Sequence, residues 1–118
     1  MTEYTGGCQC GAVRFRVECD PSQAIVCNCS RCQRLGAVLT FAPQSAFHLL
    51  AGDGATTEYL FNRMAIQHRF CATCGIQSFS FADGPDGTPM VAINVNCLDG
   101  LEPREIAKSA QVYDGRAH

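Results

Sequence analysis

The chain has 118 residues, 47% of them apolar and 17% charged, with nine cysteines, no tryptophan and a formal net charge of -2. That is room for one compact domain spanning 1–118, too short for two and too apolar for a disordered chain. The acidic balance and scattered Lys and Arg argue against a nucleic-acid partner, and no apolar run approaches the length of a membrane span.

Residues 1–7 lack a basic segment leading into an apolar run, so no secretory signal is expected and the cytoplasm is the expected location. Thiols stay reduced there. Nine cysteines, seven of them clustered, therefore point to metal rather than disulfides. Gly6-Gly7-Cys8-Gln9-Cys10-Gly11 opens the domain on a turn. Gly11 follows a candidate ligand, where a positive φ lets backbone N–H groups point at sulfur. Residues 12–17 alternate apolar Val13, Phe15 and Val17 with Arg14 and Arg16, the period of a half-buried strand. A turn at 19–22 and a short apolar run at 24–26 deliver the chain to Cys27-Asn28-Cys29-Ser30-Arg31-Cys32. One or two helical turns are expected over 30–36, with Ser30 as cap and Gly36 as terminator.

Strands are expected at 37–41 and 46–50, joined by Pro43-Gln44-Ser45, and a hairpin at 56–61 and 65–70 after the Gly52-Asp53-Gly54 turn. His48 and His68 fall in these strands, where a histidine is more often a satisfied or solvent-facing residue than a ligand or proton carrier. Cys71-Ala72-Thr73-Cys74-Gly75 runs into an approximate strand at 76–81, followed by a polar loop at 83–89 and a buried strand at 90–95. A short helix fits 103–108. The expected class is mainly β, with about eight short strands.

The first and last cysteine pairs share a plan: paired thiols, then glycine, then a strand. Cys8, Cys10, Cys71 and Cys74 together make a closed four-thiolate zinc site that staples a small domain. Two zincs per chain are expected, and their thiolates bring the net charge to about -5. Cys27, Cys29 and Cys32 are then left as three ligands for an ion that prefers four. Cys19 or Cys97 would complete a second closed site, and an iron–sulfur cluster would need one of them as well. Otherwise the fourth position is exchangeable. Three thiolates make zinc a weak Lewis acid, unsuited to activating water, but a fourth thiolate binds such an ion well. The chemistry favoured is that of a small thiol whose sulfur attacks, or is cleaved from, a carbon electrophile.

The three clusters in this order, with Val13-Arg14-Phe15, Gly36, residues 94–99 and Asp114-Gly115, resemble the glutathione-dependent formaldehyde-activating enzyme family, whose fold is shared with Mss4-like proteins. The resemblance implies small twisted, mostly antiparallel sheets. It also implies a structural zinc on Cys8, Cys10, Cys71 and Cys74 and a catalytic zinc on Cys27, Cys29 and Cys32. The implied activity is a carbon–sulfur lyase reaction linking formaldehyde and glutathione to S-hydroxymethylglutathione. Two features depart from many relatives: Asn28 stands where they carry His, and the chain has no Trp near its end.

A zinc-dependent lyase or synthase for a small thiol such as glutathione is thus the leading expectation, and Arg31, Arg34, Arg63 and Arg69 are the cations available to an anionic thiol. The alternative is a non-catalytic, zinc-stapled β module that binds a protein partner. A redox or metal-buffering role ranks third, because seven of the nine cysteines fit two ordered sites. No acid–base residue and no oligomeric state follow from the sequence.

Overall fold

The computed structural model describes residues 2–61 and 63–117. Among these residues ten strands form two sheets. The smaller is antiparallel, in the order β1 (Thr2–Gly7), β2 (Arg14–Cys19), β5 (Phe47–Ala51). The larger holds β3 (Ile25–Cys27), β4 (Val38–Pro43), β6 (Thr56–Tyr59), β7 (Gln67–Cys71), β8 (Phe79–Asp83), β9 (Pro89–Asn94) and β10 (Gln111–Tyr113). Its order is β10-β3-β4-β9-β8-β7-β6, and every pairing is antiparallel except that of β10 with β3. The described residues also form two short α-helices, α1 (Ser30–Leu35) and α2 (Pro103–Ser109).

The alternation expected of β2 is observed: Phe15, Val17 and Cys19 are buried while Arg14, Arg16 and Glu18 look outward. They meet Phe79, Val91, Ile93 and Ala42 of the larger sheet in the main core. Phe47 stands between Phe15 and Phe79, with ring centroids 5.4 and 4.9 Å away, so aromatic packing joins the two sheets. A smaller core of Ala24, Val38 and Val95 lies under α2, against Ile106 and Ala107.

Several expectations change in detail. The strand expected at 46–50 begins at Phe47, because residues 44–46 form a single 3-10 turn. The strand expected at 76–81 begins only at Phe79, since the Cys71 N–H donates to the Ile76 carbonyl at 2.9 Å and holds that segment against the third cluster. β1 and β10 are additional. β1 carries no apolar alternation, and β10 is three exposed residues paired with β3. Cys29, not Ser30, caps α1: its sulfur accepts the Cys32 N–H at 3.3 Å, and Gly36 ends the helix at φ 71°.

Candidate metal centres and the cleft beside them

Cys8 and Cys10 lie in the turn between β1 and β2; Cys71 ends β7, and Cys74 follows in the next turn. Their four sulfurs all lie within 4.8 Å of one another. Two adjacent pairs, Cys8–Cys10 and Cys10–Cys71, are 3.7 Å apart. Thiolates arranged tetrahedrally about 2.3 Å from a zinc are separated by about 3.8 Å, so this group has the spacing of a closed zinc–sulfur site. Its sulfurs come from the ends of both sheets, so an ion held there would tie the smaller to the larger.

Backbone N–H groups converge on these sulfurs. Val13 donates to Cys8 at 3.3 Å, and Thr73 and Cys74 donate to Cys71 at 3.4 and 3.5 Å. Backbone hydrogen bonds from Ile76 and then Cys10 bring the Cys74 thiol down to about 6, and those from Cys74 and Thr73 lower Cys71. The turns that permit this need left-handed backbone at Gly11 (φ 84°) and Gly75 (φ 80°), as expected of a glycine beside a ligand.

The middle group is local. Cys27 ends β3, Cys29 caps α1 and Cys32 sits in its first turn, and their sulfurs also lie within 4.8 Å of one another. The Cys29 N–H points at the Cys27 sulfur at 3.5 Å. Burial raises Cys29, but the Cys32 backbone N–H and neighbouring thiols outweigh it and leave this thiol below the usual range. Burial pushes Cys27 and Cys32 up. Of the three thiols Cys29 therefore gives up its proton most readily, and a soft or borderline cation held among them would favour the thiolate form of all three.

Among the described residues, neither group includes Cys19 or Cys97. Cys19 is fully buried in the main core, and burial raises its thiol to about 11. Cys97 points toward the Gln77 carbonyl at 3.9 Å. All nine cysteines are free.

Along α1 opens a cleft of about 500 Å³ lined by Ser30, Arg31, Arg34, Leu35, Tyr59 and Phe61; it shares the helix with the trio, but none of the three cysteines lines it. Arg31 lies over the Tyr59 ring at 4.7 Å and donates to the Gln77 side-chain oxygen from Nε and Nη2 at 3.0 and 2.6 Å. Gln77 in turn reaches Nδ1 of His68 at 3.4 Å, and Phe61 stacks on His68 with centroids 5.2 Å apart. Burial, helped by the Arg31 charge, lowers His68 to about 4, so it is neutral near pH 7. His48 is exposed on β5. Of the four arginines singled out in the sequence, Arg31 and Arg34 line the cleft. Arg63 is exposed in the β6–β7 connection and Arg69 lies 6.0 Å over Phe81. Tyr59, Phe61 and Gln77 were not among the expected site residues, and no motif marks them.

No helix among the described residues is long and apolar enough to cross a membrane. The sequence pattern of the family described as glutathione-dependent formaldehyde-activating enzyme matches residues 3–116. Among solved structures, the crystal structure of a Rhodobacter sphaeroides protein is similar at a TM-score of 0.82 and 32% identity, covering 92% of this chain and 99% of that one.

Proposed function

This chain belongs to the glutathione-dependent formaldehyde-activating enzyme family, and we propose from that premise that it is a zinc-dependent carbon–sulfur lyase or synthase acting on the adduct of a small thiol. The observation that carries the reading is the contrast between the two cysteine groups: one gathers four sulfurs, the other gathers three at the start of a helix whose Arg31 and Arg34 line a cleft. In this reading Cys8, Cys10, Cys71 and Cys74 hold a structural zinc, and Cys27, Cys29 and Cys32 hold a catalytic one. Bound there, zinc would supply a soft, electron-rich site suited to a thiolate sulfur.

The residues of the chain do the rest. Arg31 and Arg34 attract the carboxylates of an anionic thiol, glutathione being the one in the family's description. Tyr59 and Phe61 give its apolar parts a wall and displace water. Arg31 is held ready for this by Tyr59 and Gln77, so little side-chain freedom is lost when the thiol arrives. In the synthase direction the sulfur lone pair forms the C–S bond to an aldehyde carbon such as that of formaldehyde. The carbonyl pair moves to oxygen, and the proton given up by the thiol ends there. Lysis reverses these changes. A reducing compartment, the cytoplasm, suits nine free thiols.

The test compares wild type and Cys29→Ser by zinc per chain and by exchange NMR between free and adduct glutathione in the presence of formaldehyde. We expect two zincs and accelerated exchange for wild type, and one zinc with only the spontaneous rate for a folded Cys29→Ser. One zinc in wild type with no acceleration at millimolar thiol would refute the enzyme and favour the protein-binding β module.

A further inference from the structure

We propose that the C-terminal segment from Gln111 to Arg116 is a wall of the middle cysteine site, in which Gly115 sets the position of Cys27 and Arg116 locks the peptide between Cys27 and Cys29. The inference rests on the reading of this trio as a metal site.

Gly115 packs directly on the trio. A Cβ there would stand 2.5 Å from the Cys27 sulfur and 2.9 Å from the Cys29 Cβ. Its backbone is not left-handed, so glycine is required by space alone. The Cys27 sulfur has one rotatable bond and already accepts the Cys29 N–H at 3.5 Å, so a methyl group would drive it away from the other two sulfurs.

Asn28, between the two ligands, is gripped on three sides by the same segment. Its N–H donates to the Tyr113 carbonyl at 3.2 Å. Its side-chain oxygen accepts the Arg116 backbone N–H at 3.2 Å, and its carbonyl accepts Arg116 Nε–H at 2.8 Å. The Arg116 guanidinium also reaches the side-chain oxygen of Gln33 in α1. Arg116 thus spans the strand end that carries Cys27 and the helix that carries Cys32. The segment itself is exposed, Val112 at 72% and Tyr113 at 47%. Strand pairing of β10 with β3 and polar contacts to the peptide between the ligands, rather than core burial, therefore hold it. Arg116 is a positioning residue: it touches no metal ligand side chain but fixes the backbone from which two of them project.

The test measures zinc content and the rate of zinc loss to a mild chelator for Gly115→Ala, Arg116→Ala, Asn28→Ala and Asn28→Asp. Arg116 is exposed, so its removal leaves the core intact. Arg116→Ala and Asn28→Ala are expected to lose the middle zinc about 10- to 100-fold faster than wild type while the four-cysteine zinc leaves at its normal rate. Asn28→Asp, which keeps the acceptor, restores retention. Gly115→Ala carries one zinc. In cobalt-substituted Arg116→Ala the bands of the middle site shift and those of the other site do not. Wild-type zinc kinetics and spectra in Gly115→Ala, Arg116→Ala and Asn28→Ala would overturn the proposal. A wild type with only one zinc would instead refute the metal reading by itself. The segment is then judged by labelling of Cys27, where faster modification in Arg116→Ala supports the wall and equal rates overturn it.

Discussion

Replacing Cys10 with serine isolates the contribution of the four-cysteine site, because Cys10 is exposed and its sulfur fills no core space. Cys10 and Cys71 are 61 positions apart, and a link closing a loop of that length restricts the unfolded chain by the equivalent of about 4 kcal/mol at 25 °C. A small domain has only about 0.05–0.15 kcal/mol of net stability per residue, so this is a large share of the total. With an unfolding entropy of about 2 cal/mol/K per residue over 118 residues, the loss corresponds to a fall in Tm of about 16 °C. Cys29→Ser breaks a group confined to positions 27–32, a segment already held by β3 and α1. The same relation then gives half of that or less, about 8 °C at most. Calorimetry of the reduced, zinc-loaded proteins, with chelator-stripped wild type as reference, measures both. A Cys10→Ser protein melting within about 3 °C of wild type, or one more stable than Cys29→Ser, would refute the assignment of the first site as the staple.

Two further outcomes test the cleft. Arg31→Ala removes a guanidinium from over Tyr59; KM for an anionic thiol should rise about tenfold, with kcat within about threefold and little change for an uncharged thiol. Equal losses for both thiols would mean that Arg31 only braces α1. His68 titrates near 4 in the fold, from an ordinary value of 6.5, so the unfolded chain binds the extra proton between those values. The stability held above pH 6.5 is therefore lost as pH falls toward 4, by at most about 3 kcal/mol. His68→Gln should flatten that part of the difference in denaturant midpoints, and an unchanged acid slope would exclude a buried neutral histidine.

Local chemistry made much of the site legible. The three cysteine clusters and the glycines after Cys10 and Cys74 declare themselves within a few residues, because ligand spacing and backbone sign are short-range properties. The alternation of Val13, Phe15 and Val17 is likewise a local record of which face is buried. β1 and β10 were hidden for the opposite reason. Residues 2–7 become a strand because β2 offers a partner from Arg14 to Cys19, and residues 111–113 because β3 lies alongside. Tyr59, Phe61 and Gln77 reach α1 only through the register of the larger sheet, which no periodicity encodes. Cys29 as helix cap was missed because the preference for Ser at such positions is strong, and a metal-binding sulfur can accept the same N–H.

The two cysteine groups divide the work by the range of their contacts. The four-cysteine group draws its sulfurs from two turns on different sheets, so its occupancy reports on whether the whole fold has assembled. The trio needs only a strand end and six residues of helix, and on its own such a segment is too short to hold three sulfurs in place. Its support comes from two directions: Arg31 bridging to Tyr59 and Gln77 on one side, and Arg116 clasping Asn28 and Gln33 on the other. Asn28 takes on new meaning here. Its side-chain oxygen holds the C-terminal segment that closes over Cys27. A site assembled this way can be disturbed from either side without unfolding the domain, which is why loss of the zinc proposed for the trio, and not melting temperature, is the sensitive readout for changes at Arg116.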